Sequence, residues 1–211
     1  MEDRQNRKIK TGLFGGTFAP PHLGHIHAVE TILQYAGLDK ILVMPTAVPP
    51  HKAKAKGDTP ELRLAMCRAA FEPLDGVTVS DFEIRKGGVS YTVQTLEHFA
   101  ETEPEREIHL ICGTDMFLTL DKWFRAEDIF RLAKIICIPR DRTDLALIEE
   151  KRKVYEEKHR ASAVILDVEP IDMSSTEVRR RIESGEDLTG FLPDAVSQII
   201  EREKLYDSDN F

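Results

Sequence analysis

One short stretch, Gly12-Leu-Phe-Gly-Gly-Thr-Phe-Ala-Pro-Pro-His-Leu-Gly-His25, constrains this chain more than any other. An apolar run from Ile9 to Phe14 feeds two glycines, a threonine, two prolines and two histidines three apart, and an amphipathic stretch follows. That layout predicts a strand, a tight turn and the start of a helix. Glycine lets the backbone come close to a bulky ligand because no Cβ intervenes. A helix N-terminus offers unpaired N–H groups and a partial positive charge, both suited to phosphate. Histidines at i and i+3 share one face of the first turn. The stretch is therefore expected to hold the polyphosphate of a nucleotide, with His22 and His25 pointing at it. Neither a G-x-G-x-x-G fingerprint nor a G-x-x-x-x-G-K-[ST] loop is present, so the usual glycine-rich alternatives fail. Zinc at His22, His25 and His27 is disfavoured, because His27 falls on another face and no acidic ligand is adjacent.

The rest of the chain alternates strand and helix. Expected strands are Lys8 to Phe14, Lys40 to Met44, Val77 to Ser80 (with Phe82 to Ile84 as its continuation), Ile108 to Cys112, Lys134 to Ile138 and Ala163 to Leu166. Expected helices are Gly24 to Tyr35, Pro60 to Phe71, Val93 to Ala100, Ala126 to Leu132, Leu145 to Arg160, Ser175 to Ser184 and Pro193 to Tyr206. Leu118 to Phe124 reads as an aromatic-rich connection carrying the only tryptophan, Trp123. Gly37 and Gly185 are expected helix stops. Thr59 and Pro60 form a helix start, one as cap and the other in the first turn. This alternation predicts an α/β fold: a Rossmann-like, doubly wound, mostly parallel sheet with helices on both faces and a small helical part over about 170–206. One domain over 1–211 is expected, with 1–7 as a solvated tail.

Ligands of such sheets sit beyond the carboxyl ends of the strands. Gly15 to His25, Pro45 to Lys52 and Gly113 to Asp115 all fall at such ends. Met173-Ser-Ser-Thr-Glu-Val-Arg179 opens a helix with two hydroxyls and places Arg179 four residues after Ser175, a spacing that can grip a phosphate. The competing explanation is a plain N-cap at Ser174 or Ser175 with a surface arginine. Lys52, Lys54 and Lys56 make a basic loop, of which His51 and Lys52 are the candidates for holding a substrate phosphate.

With 41% hydrophobic and 31% charged residues, the composition is that of an ordinary globular protein. A formal net charge of −8 argues against general affinity for nucleic acid or anionic membrane. Cys67, Cys112 and Cys137 lie far apart in apolar runs, which predicts buried, reduced thiols and a cytoplasmic setting. The polar N-terminus is unlike a signal peptide.

Taken in order, Gly-Gly-Thr-Phe-x-Pro-x-His-x-Gly-His, Pro-Pro-His-Lys, Ser-Tyr-Thr-x-x-Thr-Leu, Gly-x-Asp, Trp and Ser-Ser-Thr-x-x-Arg resemble the bacterial nicotinate-nucleotide adenylyltransferases over roughly Lys10 to Tyr206. The first and last motifs mark the wider nucleotidylyltransferase superfamily, and the middle ones narrow it. The resemblance implies adenylyl transfer from ATP to nicotinate mononucleotide, with Mg²⁺ carried on the ATP phosphates and no protein metal site. It implies an ATP site at Gly15, Gly16, Thr17, Phe18, His22, His25, Gly113, Asp115, Ser174, Ser175, Thr176 and Arg179, with His22, His25 and Arg179 catalytic. It implies an acceptor site at Thr46, His51, Lys52, Ser90, Tyr91, Thr92, Trp123 and Phe124, the pyridine ring stacking on Trp123. A homodimer is compatible with it. Three positions depart from the family pattern: Ala19 stands where Asp is usual, Thr46 where Asn is usual, and Ile138-Pro139-Arg140-Asp141 where Arg-Pro-Gly is usual. The alternatives are a relative acting on nicotinamide mononucleotide or phosphopantetheine, and a nucleotide-binding regulator without turnover.

Overall fold

A computed structural model describes residues 7–49, 58–139, 141–166, 168 and 173–207. His51, Lys52 and Arg140 lie outside the described residues. In chain order the elements are β1 (Ile9–Gly16), α1 (Leu23–Tyr35), β2 (Lys40–Pro45), α2 (Pro60–Phe71), β3 (Val77–Val79), α3 (Phe82–Lys86), α4 (Thr92–Thr102), β4 (Arg106–Gly113), α5 (Thr114–Thr119), α6 (Ala126–Leu132), β5 (Lys134–Ile138), α7 (Leu145–His159), β6 (Ala163–Ile165), α8 (Ser175–Glu183) and α9 (Asp194–Glu203). The strands form one six-stranded parallel sheet in the order β3-β2-β1-β4-β5-β6. This is the α/β, Rossmann-like arrangement that the alternating pattern predicts.

The start and stop signals act as expected. Thr59 accepts the Leu62 N–H at 3.3 Å, and Pro60 opens α2, where its missing N–H leaves no donor orphaned. Beyond α1 and α8, Gly37 and Gly185 take positive φ, 61° and 64°. Two expectations need correction. Phe82 to Ile84 does not continue β3 but lies in the short helix α3. Its apolar residues are two apart, which suits a strand. The Arg85 N–H, however, donates to Asp81 O at 2.8 Å, closing a helical turn. Leu118 to Phe124 is not a bare connection either: α5 and a 3₁₀ turn over Leu120–Lys122 occupy most of it.

The chain divides into two compact units. One comprises the described residues of 1–14, 31–42 and 91–170. Its core is the parallel run of β1, β4, β5 and β6, with Leu13 beside Leu110, Ile111 beside Ile136 and Cys112 beside Cys137. Phe117, Leu120, Ile129 and Tyr155 are fully buried there, and the Tyr155 hydroxyl donates to Phe117 O. The other comprises the described residues of 15–30, 43–90 and 171–211. In it α2 packs against α9 and β3, with Met66, Cys67, Phe71, Val178, Val196 and Ile200 buried. All three thiols are buried and free of disulfides. Burial pushes each above its usual range, Cys137 to about 12, so none is a ready nucleophile.

Candidate active site

At the carboxyl end of β1 the chain turns sharply. Phe18 has a positive φ of 50°, an uncommon conformation for a bulky residue. Its ring is buried, edge-on to Phe71 at 5.7 Å and to His25 at 5.1 Å. A Cβ on Gly16 would meet that ring at 2.9 Å, so glycine is required at that position. The turn is then fixed through its carbonyl oxygens. Arg63 Nη1 donates to Thr17 O at 2.9 Å, Arg179 Nη1 to Ala19 O at 2.7 Å, and Ser175 Oγ to Pro20 O at 2.9 Å. Two of these donors are charged, and charge-assisted bonds are the stronger kind.

The turn delivers the histidine pair. His22 and His25 stack with ring centroids 3.7 Å apart, as their spacing predicts. The His22 N–H donates to His25 Nδ1 at 3.2 Å. With Nδ1 accepting, a neutral His25 carries its proton on Nε2, which makes that atom a donor. His22 is buried, and a Cβ on Gly24 would press on its Nδ1 at 3.1 Å, which explains the glycine between the histidines. The Leu23 N–H at the head of α1 donates to Phe191 O at 2.9 Å.

The helix-opening serines divide their work. Ser174 is the N-cap of α8, accepting the Glu177 N–H at 3.2 Å, and Ser175 holds the turn. Thr176 is exposed and accepts from Arg179 Nη2 at 3.2 Å. Ala19 is buried, and its backbone carbonyl engages Arg179, so this contact needs no side chain at position 19. After β2, the Thr46 N–H donates to Gly16 O and the Ala47 N–H to Ser90 Oγ, each at 2.9 Å. Ser90 is therefore a buried brace of the loop after β2.

Sequence reasoning missed the residues that anchor these loops. Arg63, in α2, is 3% exposed and also donates through Nη2 to Ala47 O at 2.9 Å. Its Nε lies 3.7 Å from Asp58, and both side chains are 4% exposed. The Tyr206 hydroxyl donates to Asp58 Oδ2 at 2.9 Å. Burial raises the Asp58 pKa, opposed by the Tyr206 hydrogen bond and the charges of Arg63 and Arg179. Thr17, Ala47, Pro49, Asp58, Thr59, Pro60 and Arg63 line a small cavity of about 120 Å³. The missed signal was the position of Arg63 on the apolar stripe Met66, Cys67 and Ala70 of α2, where a charge needs a partner.

The acceptor candidates of the other unit are arranged differently. Tyr91 and Phe124 pack with ring centroids 4.7 Å apart, and Phe124 is 51% exposed. Trp123 is half-buried, with its backbone N–H donating to Leu120 O at 3.1 Å. Thr92 opens α4 and is half-buried. Gly113 caps α5, and Asp115 is exposed in its first turn. Next to Phe124, Arg125 sits at φ 56° and pairs with Glu97 and Asp128.

Comparison with known proteins agrees with this geometry. Residues 13–181 match the family model for cytidylyltransferase-like proteins. A Clostridium kluyveri protein named "Probable nicotinate-nucleotide adenylyltransferase" is 38% identical over 94% of this chain and 99% of its own. A Clostridium tetani protein of the same name is 36% identical over 93% and 98%. Among solved structures, Plasmodium falciparum nicotinic acid mononucleotide adenylyltransferase complexed with NaAD superposes with a TM-score of 0.77 at 16% identity. The match covers 93% of this chain and 97% of that one, and it establishes the fold. With a glycine-rich turn into a stacked His-x-x-His pair, and relatives aligned over nearly its whole length, the chain belongs to the cytidylyltransferase-like family, among the nicotinate-nucleotide adenylyltransferases.

Proposed function

We infer that the protein transfers the adenylyl group of ATP to nicotinate mononucleotide, giving nicotinate adenine dinucleotide and pyrophosphate. The observation that carries the reaction is the turn after β1, held by its carbonyls and presenting the stacked His22–His25 pair at the head of a helix. The acceptor is drawn from the curated relatives and from the Tyr91, Trp123 and Phe124 aromatic group, which suits a flat pyridine ring.

A phosphate oxygen of nicotinate mononucleotide attacks the α-phosphorus of ATP. The bond from that phosphorus to the β-phosphate bridging oxygen breaks, and pyrophosphate departs with the electron pair. The attacking monoester is already an anion, so no general base is needed. Catalysis is then alignment of two like-charged groups and stabilisation of charge in flight. In this reading His25 donates through Nε2 to an α-phosphate oxygen, and His22 supports its ring. Ser175 and Arg179 shape the turn, Arg179 also places positive charge beside the phosphates, and Asp115 serves the nucleoside. The donor set at the turn is imidazole, guanidinium and hydroxyl, which suits an anion, and in this reading Mg²⁺ arrives with the substrate as MgATP. This reading places the enzyme in the cytoplasm with its substrates.

The test is incubation with MgATP and, separately, nicotinate mononucleotide, nicotinamide mononucleotide and phosphopantetheine, following pyrophosphate. The expected result is fastest release with nicotinate mononucleotide. Faster release with either of the others would reassign the acceptor, and no release with any would make the chain a binding protein.

A further inference from the structure

We propose that Arg63, held by Asp58 and Tyr206, is a positioning residue that sets two loops at once: the phosphate-facing turn after β1 and the loop after β2. One guanidinium bridges them, Nη1 to Thr17 O and Nη2 to Ala47 O, each at 2.9 Å. These two oxygens are 30 residues apart in sequence; the Thr46 N–H donates to Gly16 O one residue before each, and the guanidinium adds the side-chain tie that fixes both carbonyls under one group. Lysine could not do the same, because only the planar guanidinium offers donors in a fixed fork.

The clamp is itself fixed. Asp58 lies 3.7 Å from Arg63 Nε and accepts the Tyr206 hydroxyl at 2.9 Å, so a residue near the end of the described chain reports on the turn. Tyr206 is 5% exposed and sits at φ 63°, one of only five non-glycine residues with positive φ among the described residues. A buried charge left without its partner is costly, which makes the arrangement close to all-or-none. The Thr17–Phe18 peptide is flat, so holding its carbonyl also sets the direction of the Phe18 N–H on its opposite edge. Arg179 grips the next-but-one carbonyl of the same turn, Ala19 O at 2.7 Å, and its charge, like that of Arg63, opposes the burial that raises the Asp58 pKa.

The proposal rests on the adenylyl-transfer reading, and the experiment separates the two. Arg63→Lys, Asp58→Asn and Tyr206→Phe are prepared beside the wild type, and their melting temperatures are measured. Steady-state kinetics with MgATP and nicotinate mononucleotide give kcat and KM. Calorimetry with a non-hydrolysable ATP analogue gives Kd without turnover. Arg63→Lys is expected to lower kcat about 100-fold and to raise both the ATP KM and the analogue Kd at least about 5-fold. Tyr206→Phe, the variant least prone to misfold, is expected to shift the same quantities about 3-fold in the same directions. A lower kcat at unchanged KM and unchanged Kd in folded variants would mean that the ATP-binding loops are set without Arg63 and would overturn the proposal. Wild-type values throughout would overturn it too. A wild type that binds the analogue but turns over no acceptor would refute the function and leave the clamp to stand or fall on Kd.

Discussion

The turn after β1 and the aromatic segment from Tyr91 to Phe124 solve different problems. The turn is held from behind: Thr17, Ala19 and Pro20 each give a carbonyl to a side chain from α2 or α8, and Phe18 and His22 are buried. The aromatic segment is held from its surface. Phe124 is half exposed, and the neighbouring Arg125 is tied by Glu97 and Asp128, whose side chains are also partly exposed. Buried charge-assisted bonds hold a geometry; exposed ion pairs are worth about 0–1 kcal/mol and are screened by salt. Charge developing on a phosphate needs fixed donors, because a donor that must first reorganise gives back what it stabilises. A pyridine ring needs only a face to stack on, so a site for one would tolerate movement.

That contrast predicts that substitutions in the two regions divide between turnover and affinity. The largest effect is expected at His25. His25→Ala should lower kcat about 1,000-fold, equivalent to about 4 kcal/mol, with the fold intact by circular dichroism. Wild-type turnover in a folded variant would remove His25 from the chemistry. In the aromatic segment, Trp123→Ala should raise the KM for nicotinate mononucleotide about tenfold, since stacking on a flat ring is worth about 1–3 kcal/mol, while kcat changes little. Titration of Trp123 fluorescence with nicotinate mononucleotide alone checks the contact; an unresponsive signal would break the stacking assignment. Glu97→Ala should cost less than about 1 kcal/mol in urea unfolding, against a larger loss for Asp58→Asn, which leaves Arg63 buried without its carboxylate. Equal losses would erase the distinction between the two regions.

The smallest effect is a pH dependence confined to β4. Burial lowers the His109 pKa from 6.5, against the opposing pull of Glu107, which lies 2.9 Å from the ring. The unfolded chain then binds more protons than the folded one between that lowered value and 6.5. The stability linked to His109 is complete above 6.5 and is lost as pH falls through the folded pKa. His109→Gln should flatten the fall of unfolding free energy over that window, as read by urea titrations at a series of pH values.

What the sequence made legible was local. The Thr59–Pro60 start of α2, the bounds of α6 and β5 and the stacking of His22 on His25 all follow from residues within one turn of each other. Phe82 to Ile84 reads as strand and folds as helix because a five-residue helix gives too little pattern to separate a period of two from 3.6. Ser174 and Ser175 open α8 as the sequence predicts, but only the structure separates the cap from the residue that holds Pro20 O, 155 positions away. The Asp58–Tyr206 bond spans 148 positions, and no local signal in either residue announces it. Arg63 was legible in part, as a charge on an apolar stripe. The buried Ala19, whose family counterpart is usually acidic, gains an account from its carbonyl rather than its side chain.

The central claim is that a fixed turn aligns two phosphates for direct transfer, without a covalent adenylyl-enzyme. The stereochemical course at the α-phosphorus tests it most directly. With nicotinate mononucleotide and an ATP whose α-phosphorus is made chiral by sulfur substitution, a single in-line displacement predicts inversion of configuration in the dinucleotide product. Retention would mean two displacements through an adenylylated side chain, with His22 or His25 as the nucleophile, and would contradict the account.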